Sequence, residues 1–234
     1  MGHVTGSSFR TANRRPQTAI ACRMYTHTVN WDDSIFRAIN GSSESLSPVM
    51  HFFSEATNHP WVRMVLGLIV LAMAFRGERS RWTVIQALIA FPIANGMTDL
   101  FKRFLPEKRP YQELPDLVLH AVGNAQQGTH DMASMLGTSA HDAANFGTAS
   151  AHSANMAAVA FVFCYRLKWW GTPWVGIALI VGYSRIYLGA HYPYQVLLGW
   201  TCGCVAALAV TKTWDLVVRR REAERRSLET DVAE

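Results

Sequence analysis

The chain has 234 residues, of which 50% are hydrophobic and 17% charged. An ordinary soluble domain carries about 25% charged residues, so a conventional water-exposed surface is disfavoured. The mean hydropathy is only +0.06, which requires the apolar residues to be gathered into segments. The net charge is +5. Much of it lies at the ends, in Arg10, Arg14, Arg15 and Arg23 and again in Arg219 to Arg226. Basic ends beside apolar helices set membrane orientation. No RNA- or DNA-binding motif accompanies them, so no nucleic-acid partner is expected.

Residues 1–29 are polar, basic and aperiodic. They lack the apolar stretch of a signal peptide and read as a disordered tail. Residues 31–58 follow as an amphipathic region, in which Ser47 and Pro48 are placed to start a helix. Five apolar runs come next, over roughly 60–75, 82–101, 153–167, 171–190 and 194–212. Several are short against the ~17–25 residues that cross a bilayer. Trp61, Trp82, Trp169, Trp170, Trp174 and Trp214 stand at the run ends, where interfacial aromatics belong. The expected fold is therefore all-α, a membrane-embedded bundle of five or six helices over residues 30–212, because helices satisfy their own backbone groups in lipid. Residues 213–234 read as a charged cytoplasmic tail or helix.

The connections give the bundle a direction. Arg76, Arg79 and Arg81 follow the first run, Arg166 and Lys168 the third, and Arg219 to Arg221 the fifth. If all five runs cross, these fall on one side, and their positive charge makes that side cytoplasmic. Asp99 sits three residues before Lys102, the right spacing for an ion pair on one helix face. Pro92 and Gly96 suggest a kink in the same run. Cys22, Cys164, Cys202 and Cys204 have no metal-ligand spacing and read as small apolar residues.

Three polar clusters fall on the opposite, extracytoplasmic side. They are Lys102 to Pro110, Ala149-Ser150-Ala151-His152, and Ser184-Arg185 with His191 and Gln195 beyond. Together they resemble the signature of the type-2 phosphatidic acid phosphatase superfamily, the lipid phosphate phosphatases. That signature reads Lys-x6-Arg-Pro, Pro-Ser-Gly-His and Ser-Arg-x5-His-x3-Asp. Its first part matches at Lys102, Arg109 and Pro110, and its third at Ser184, Arg185 and His191. The resemblance covers about residues 31–212. The opening Ile35 to Asn40 looks like bacterial members acting on undecaprenyl pyrophosphate.

The resemblance implies a metal-independent phosphatase in the cell membrane, acting on a lipid phosphate or pyrophosphate, with undecaprenyl pyrophosphate the first expectation. His191 is expected to attack phosphorus and form a phosphohistidine, with His152 as proton donor. Lys102, Arg109 and Arg185 should clamp the phosphoryl oxygens with Ser150 and the Ala151 backbone. This suits phosphoryl transfer, where catalysis is mostly positioning and charge stabilisation. No metal and no cofactor are expected. The motifs do not encode an oligomeric state.

Ala149 and Ala151 replace the signature Pro and Gly, and Gln195 replaces the signature Asp. An alanine at 151 keeps the backbone N–H if its φ is negative. A Gln oxygen can still accept from an imidazole N–H, but it carries no charge. That replacement keeps open a degenerate homologue that binds lipid phosphate without cleaving it. A vanadium haloperoxidase-like enzyme is the other alternative, since those proteins share the three motifs. His130, His141 and His152 recur every eleven residues, a spacing that could align metal ligands on a helix. Gly128, Gly137 and Gly147 interrupt that helix, and an apolar run follows only His152.

Overall fold

The computed structural model describes residues 29–114, 117–118 and 146–233. The tail 1–28, His130 and His141 lie outside them. The described residues are helices and short connections: α1 Val29–Asn40, α2 Ser47–Glu55, α3 Pro60–Phe75, α4 Glu78–Phe104, α5 Ala151–Leu167, α6 Thr172–Tyr187 and α7 Pro193–Ala233. A single helical turn, Pro110–Glu113, follows α4. Proline occupies the first turn of α2, α3 and α6, where its missing N–H has no partner to lose. The expected start at Ser47 and Pro48 is where α2 begins.

The five apolar runs become α3 to α7. Helix α4 passes through Pro92 as one element of 27 residues. It and α7 are long and apolar enough to cross a membrane, and α2 with α3 makes a third crossing if the pair, bent by 64°, is one span. Five full crossings were expected. Helices α5 and α6 have 17 and 16 residues, about 25 Å each at 1.5 Å per residue, slightly less than the ~30 Å hydrocarbon core. Ser150 and Arg185, at the ends of these two helices, are buried inside the bundle, and His152 is partly buried.

Helix α5 is the hub, packed against α4, α6 and α7. The apolar core joins Ala87, Ala90 and Ala94 of α4, Ala154, Ala158 and Val162 of α5, and Cys202, Ala206 and Ala207 of α7. Small residues dominate because lipid offers no hydrophobic drive for helix association, so close van der Waals contact must supply it. Gly199 and Gly203 bring α7 onto α5: a Cβ on Gly203 would meet the Ala154 carbonyl oxygen at 2.1 Å and one on Gly199 the Ser150 oxygen at 2.4 Å. Gly203→Val should therefore separate the two helices that hold the site. We expect a loss of about 1–3 kcal/mol, read as a lower thermal midpoint in detergent. A midpoint equal to wild type would contradict this packing.

The exterior matches the lipid reading. Leu68, Leu71, Leu88, Leu100, Leu179 and Leu197 are all exposed. The basic connections meet at one end, where Arg79 Nε donates to the Arg166 carbonyl at 2.6 Å and Trp82 packs on Trp214 at 4.6 Å. Trp169 and Trp170 are 86% and 84% exposed there. Cys164, Cys202 and Cys204 are free thiols.

Candidate active site

The three motif clusters meet at the opposite end. Lys102 ends α4 as a buried side chain, with Nζ 3.1 Å from Asp99 Oδ1, the pairing expected from their spacing. Arg109 has φ −87° and ψ 156°, the extended conformation that Pro110 imposes on its predecessor. Its side chain is buried, 4% exposed.

Ser150 is the N-cap of α5 and accepts from the Ser153 N–H at 3.4 Å. Its own N–H donates to the Gln195 carbonyl at 3.0 Å, which ties α5 to α7. The Ala151 and His152 N–H groups then open α5 with no intrahelical carbonyl to meet. A helix N-terminus in that state attracts an anion. Ala151 has helical backbone, so the alanine keeps the N–H that the signature glycine would present. Ala149 is different. Its φ is +55°, a value closed to proline, whose φ is fixed near −65°. The signature Pro would not fit this backbone.

Arg185 lies in the last turn of α6 and is 2% exposed. Its Nη1 donates to Ser54 Oγ of α2 at 2.5 Å, while Nε and Nη2 make no hydrogen bond among the described residues. Beyond α6 the chain folds back so that the Ala190 and His191 N–H groups both donate to the Arg185 carbonyl, at 3.0 and 3.2 Å. Guanidinium and imidazole are thus fixed to one turn.

His191 is 3% exposed. Its Nδ1 faces two oxygens, Gly147 O at 3.0 Å and Gln195 Oε1 at 3.3 Å. Two acceptors at one nitrogen assign the proton to Nδ1 and leave the Nε2 lone pair free. Burial holds the ring's pKa well below 6.5, and Arg109, Arg185 and Lys102 lower it further. His191 is therefore held as the neutral ring near pH 7. The same three cations act electrostatically on His152.

Sequence reasoning did not single out Gly147 or Glu107 for the site. A Cβ on Gly147 would meet the Gln195 amide at 2.8 Å and the Lys108 carbonyl at 3.0 Å. A side chain at 147 would press on the amide that meets the imidazole. Glu107 lies between Lys102 and Arg109, at a position the signature leaves open. Its carboxylate accepts from the Tyr194 hydroxyl. No group of three or more His, Cys, Asp or Glu residues suited to a metal occurs among the described residues. A separate cleft of about 710 Å3 opens at the other end, between Arg79, Trp82, Arg166 and Trp214. Arg166 is already paired there, at 2.7 Å from Asp215 and 2.9 Å from Gln86.

The PAP2 superfamily model matches residues 82–219, which contain every one of the three motif clusters. The chain is 27% identical over 181 residues to the bacitracin transport permease protein BcrC of Bacillus licheniformis, covering 75% of this chain and 76% of that one. It is 24% identical over 186 residues to "Putative undecaprenyl-diphosphatase YbjG" of Escherichia coli, covering 79% and 83%. In fold it is similar to LpxE of Aquifex aeolicus, with a TM-score of 0.59, 20% identity and 80% and 98% of the two chains covered. It is also similar to the PAP2-type phosphatidylglycerolphosphate phosphatase of Bacillus subtilis, with a TM-score of 0.57, 22% identity and 85% and 92% covered. The chain belongs to the PAP2 superfamily and is a membrane phosphatase of that family.

Proposed function

We propose that this enzyme removes phosphate from a lipid pyrophosphate at the extracytoplasmic face of the cell membrane, with undecaprenyl pyrophosphate its first substrate. The observation that carries the reading is His191, buried together with Lys102, Arg109 and Arg185 at one end of an apolar bundle and held by two oxygens at Nδ1. The carrier-lipid choice is supported by the relative named for undecaprenyl diphosphate. The outward orientation is supported by Arg79, Arg166 and Arg219 at the other end.

The chemistry follows from the geometry. The phosphoryl oxygens lie among Lys102, Arg109, Arg185 and the first N–H groups of α5. Nε2 of His191 attacks phosphorus in line. The N–P bond forms as the bond to the leaving oxygen breaks, and His152 delivers a proton to that oxygen. His152 then takes a proton from water, whose oxygen displaces His191 and releases inorganic phosphate. The two acceptors on Nδ1 hold the proton of the imidazolium formed in between.

Phosphate release in detergent from undecaprenyl pyrophosphate, phosphatidic acid, phosphatidylglycerophosphate and lipid A phosphate tests the reading. The highest kcat/KM is expected with the pyrophosphate. A preference for another lipid of the panel would overturn the substrate choice. Tight lipid binding with no release from any of them would favour the non-catalytic homologue that Gln195 suggests.

A further inference from the structure

The signature places a carboxylate on the nucleophilic histidine, and here a neutral amide stands in its place. The residues behind that amide replace what it lacks. Gln195 is fully buried. Its Oε1 accepts from the Tyr192 N–H at 3.2 Å and faces His191 Nδ1. Its Nε2 donates to the Tyr194 hydroxyl at 3.1 Å, and Gln195 lowers the pKa of the Glu107 carboxylate beyond it. The Tyr194 hydroxyl donates to the same carboxylate. A flipped amide would set its NH2 against the Tyr192 N–H and its oxygen against the Tyr194 hydroxyl oxygen, whose proton is already given to Glu107. Both contacts are repulsive, so Glu107 and Tyr192 together dictate which end of the amide meets His191.

We propose that Glu107 is the positioning residue of the nucleophile: through Tyr194 and Gln195 it holds the amide oxygen on His191 Nδ1 and supplies, two side chains further out, the negative charge that stabilises the imidazolium. This rests on the phosphohistidine reading above. Glu107 is anchored for the task, since its N–H donates to Thr148 Oγ1 at 3.1 Å and its carbonyl accepts from the Gly147 N–H at 2.7 Å. The stretch that carries the carboxylate is thus bonded directly to the separate stretch that carries Gly147, the second acceptor of the His191 proton. The groups that face Glu107 are Asp32 of α1, Glu113 of the helical turn, Thr148, and Tyr194 and Gln195 of α7. Burial raises its pKa above the ordinary 4.5; the bonds from Gln195 and Thr148 oppose this, and Glu113 and Asp32 add to it. As pH falls through that raised value the charge is lost, so kcat should fall with it.

The test is a double-mutant cycle on the full chain. Glu107→Gln should lower kcat on the order of 10- to 100-fold, as loss of a residue supporting a first ligand does elsewhere, with KM little changed. The acid-side fall in kcat assigned to Glu107 should disappear. In a Gln195→Asp background, where a carboxylate sits directly on His191, Glu107→Gln should cost little or improve the rate. An equal loss in both backgrounds would show that Glu107 only holds the loop, and the proposal fails. Tyr194→Phe cuts the same connection without touching the loop, and serves if the Glu107 variant does not fold. It should lower kcat and shift the same acid limb; an unchanged profile overturns the proposal. An activity-independent readout is the 15N spectrum of histidine-labelled protein, assigned with His191→Gln. Wild type should show His191 as the Nδ1–H tautomer and Tyr194→Phe a mixture. Failure of wild type to hydrolyse any lipid would instead refute the phosphatase reading, whatever the tautomer.

Discussion

His191→Ala is expected to lower kcat by about 10⁴-fold or more, as loss of a nucleophile or its base does in other covalent enzymes. In the proposed mechanism His191 forms and breaks the bond to phosphorus, so no neighbour can substitute. His152→Ala should differ in kind. It removes the proton donor and then the base for water, so the phosphorylated intermediate should be slow both to form and to break down. With a substrate whose leaving group needs no protonation, His152→Ala should accumulate acid-labile phosphate on His191. Quench-flow with radiolabelled substrate would detect it, and labelling that survives in His191→Ala would remove His191 from its assigned role. The pH profile adds a further check. Burial and the cations Arg109, Arg185 and Lys102 hold the ring well below 6.5. The acid limb of kcat/KM should accordingly lie below the pH at which an ordinary histidine would impose one.

Arg185→Lys is expected to cost about 10²- to 10³-fold in kcat, the range seen when one donor to a developing oxyanion is lost. Lysine keeps the charge but not the planar fork that bonds two oxygens at once. Arg185 is buried with two nitrogens unbonded among the described residues, and Glu55 is the carboxylate that acts on it. A buried cation without full hydrogen bonding is costly. A phosphoryl group would supply the missing acceptors. Orthovanadate, which resembles the transferring group, should therefore raise the wild-type thermal midpoint. At a hundred times its Kd the stabilisation is about 2.7 kcal/mol. In Arg185→Lys most of that shift should vanish. A variant that binds vanadate as well as wild type would place Arg185 outside the anion site.

The departure at Gln195 gains meaning from its neighbours. Seen alone, an amide in place of a carboxylate weakens the case for catalysis. Within the fold it is one member of a hydrogen-bonded series from Glu107 to His191. The catalytic consequence expected from the proposal is a weaker but present polarisation, because the charge acts across Tyr194 and the intervening amide. Gln195→Asp tests this from the other side. It brings two carboxylates close together in a buried site, and like charges there raise one another's pKa. Gln195→Asp alone is therefore expected to help less than it does together with Glu107→Gln.

Much of the fold was legible along the chain. Apolar runs bounded by tryptophan and arginine located α3 to α7, because membrane helices must be apolar along their length and bear their charges at the ends. The pairing of Asp99 with Lys102 and the capping of α5 by Ser150 were equally local, set by helical spacing and by N-terminal donors. Resemblance to the family's three-part signature also grouped Lys102, Arg109, His152, Arg185 and His191 into one site. Tertiary structure decided the rest. It placed Ser54, more than a hundred residues away in sequence, against Arg185, and brought the Gly147 carbonyl to His191. It gave Ala149 a positive φ that no pattern of side chains announces. Above all it oriented the Gln195 amide, since which end faces the imidazole depends on donors and acceptors contributed by separate segments. Hydrophobic period and motif spacing are properties of one stretch of chain, whereas the charge behind a nucleophile depends on which stretches are packed together.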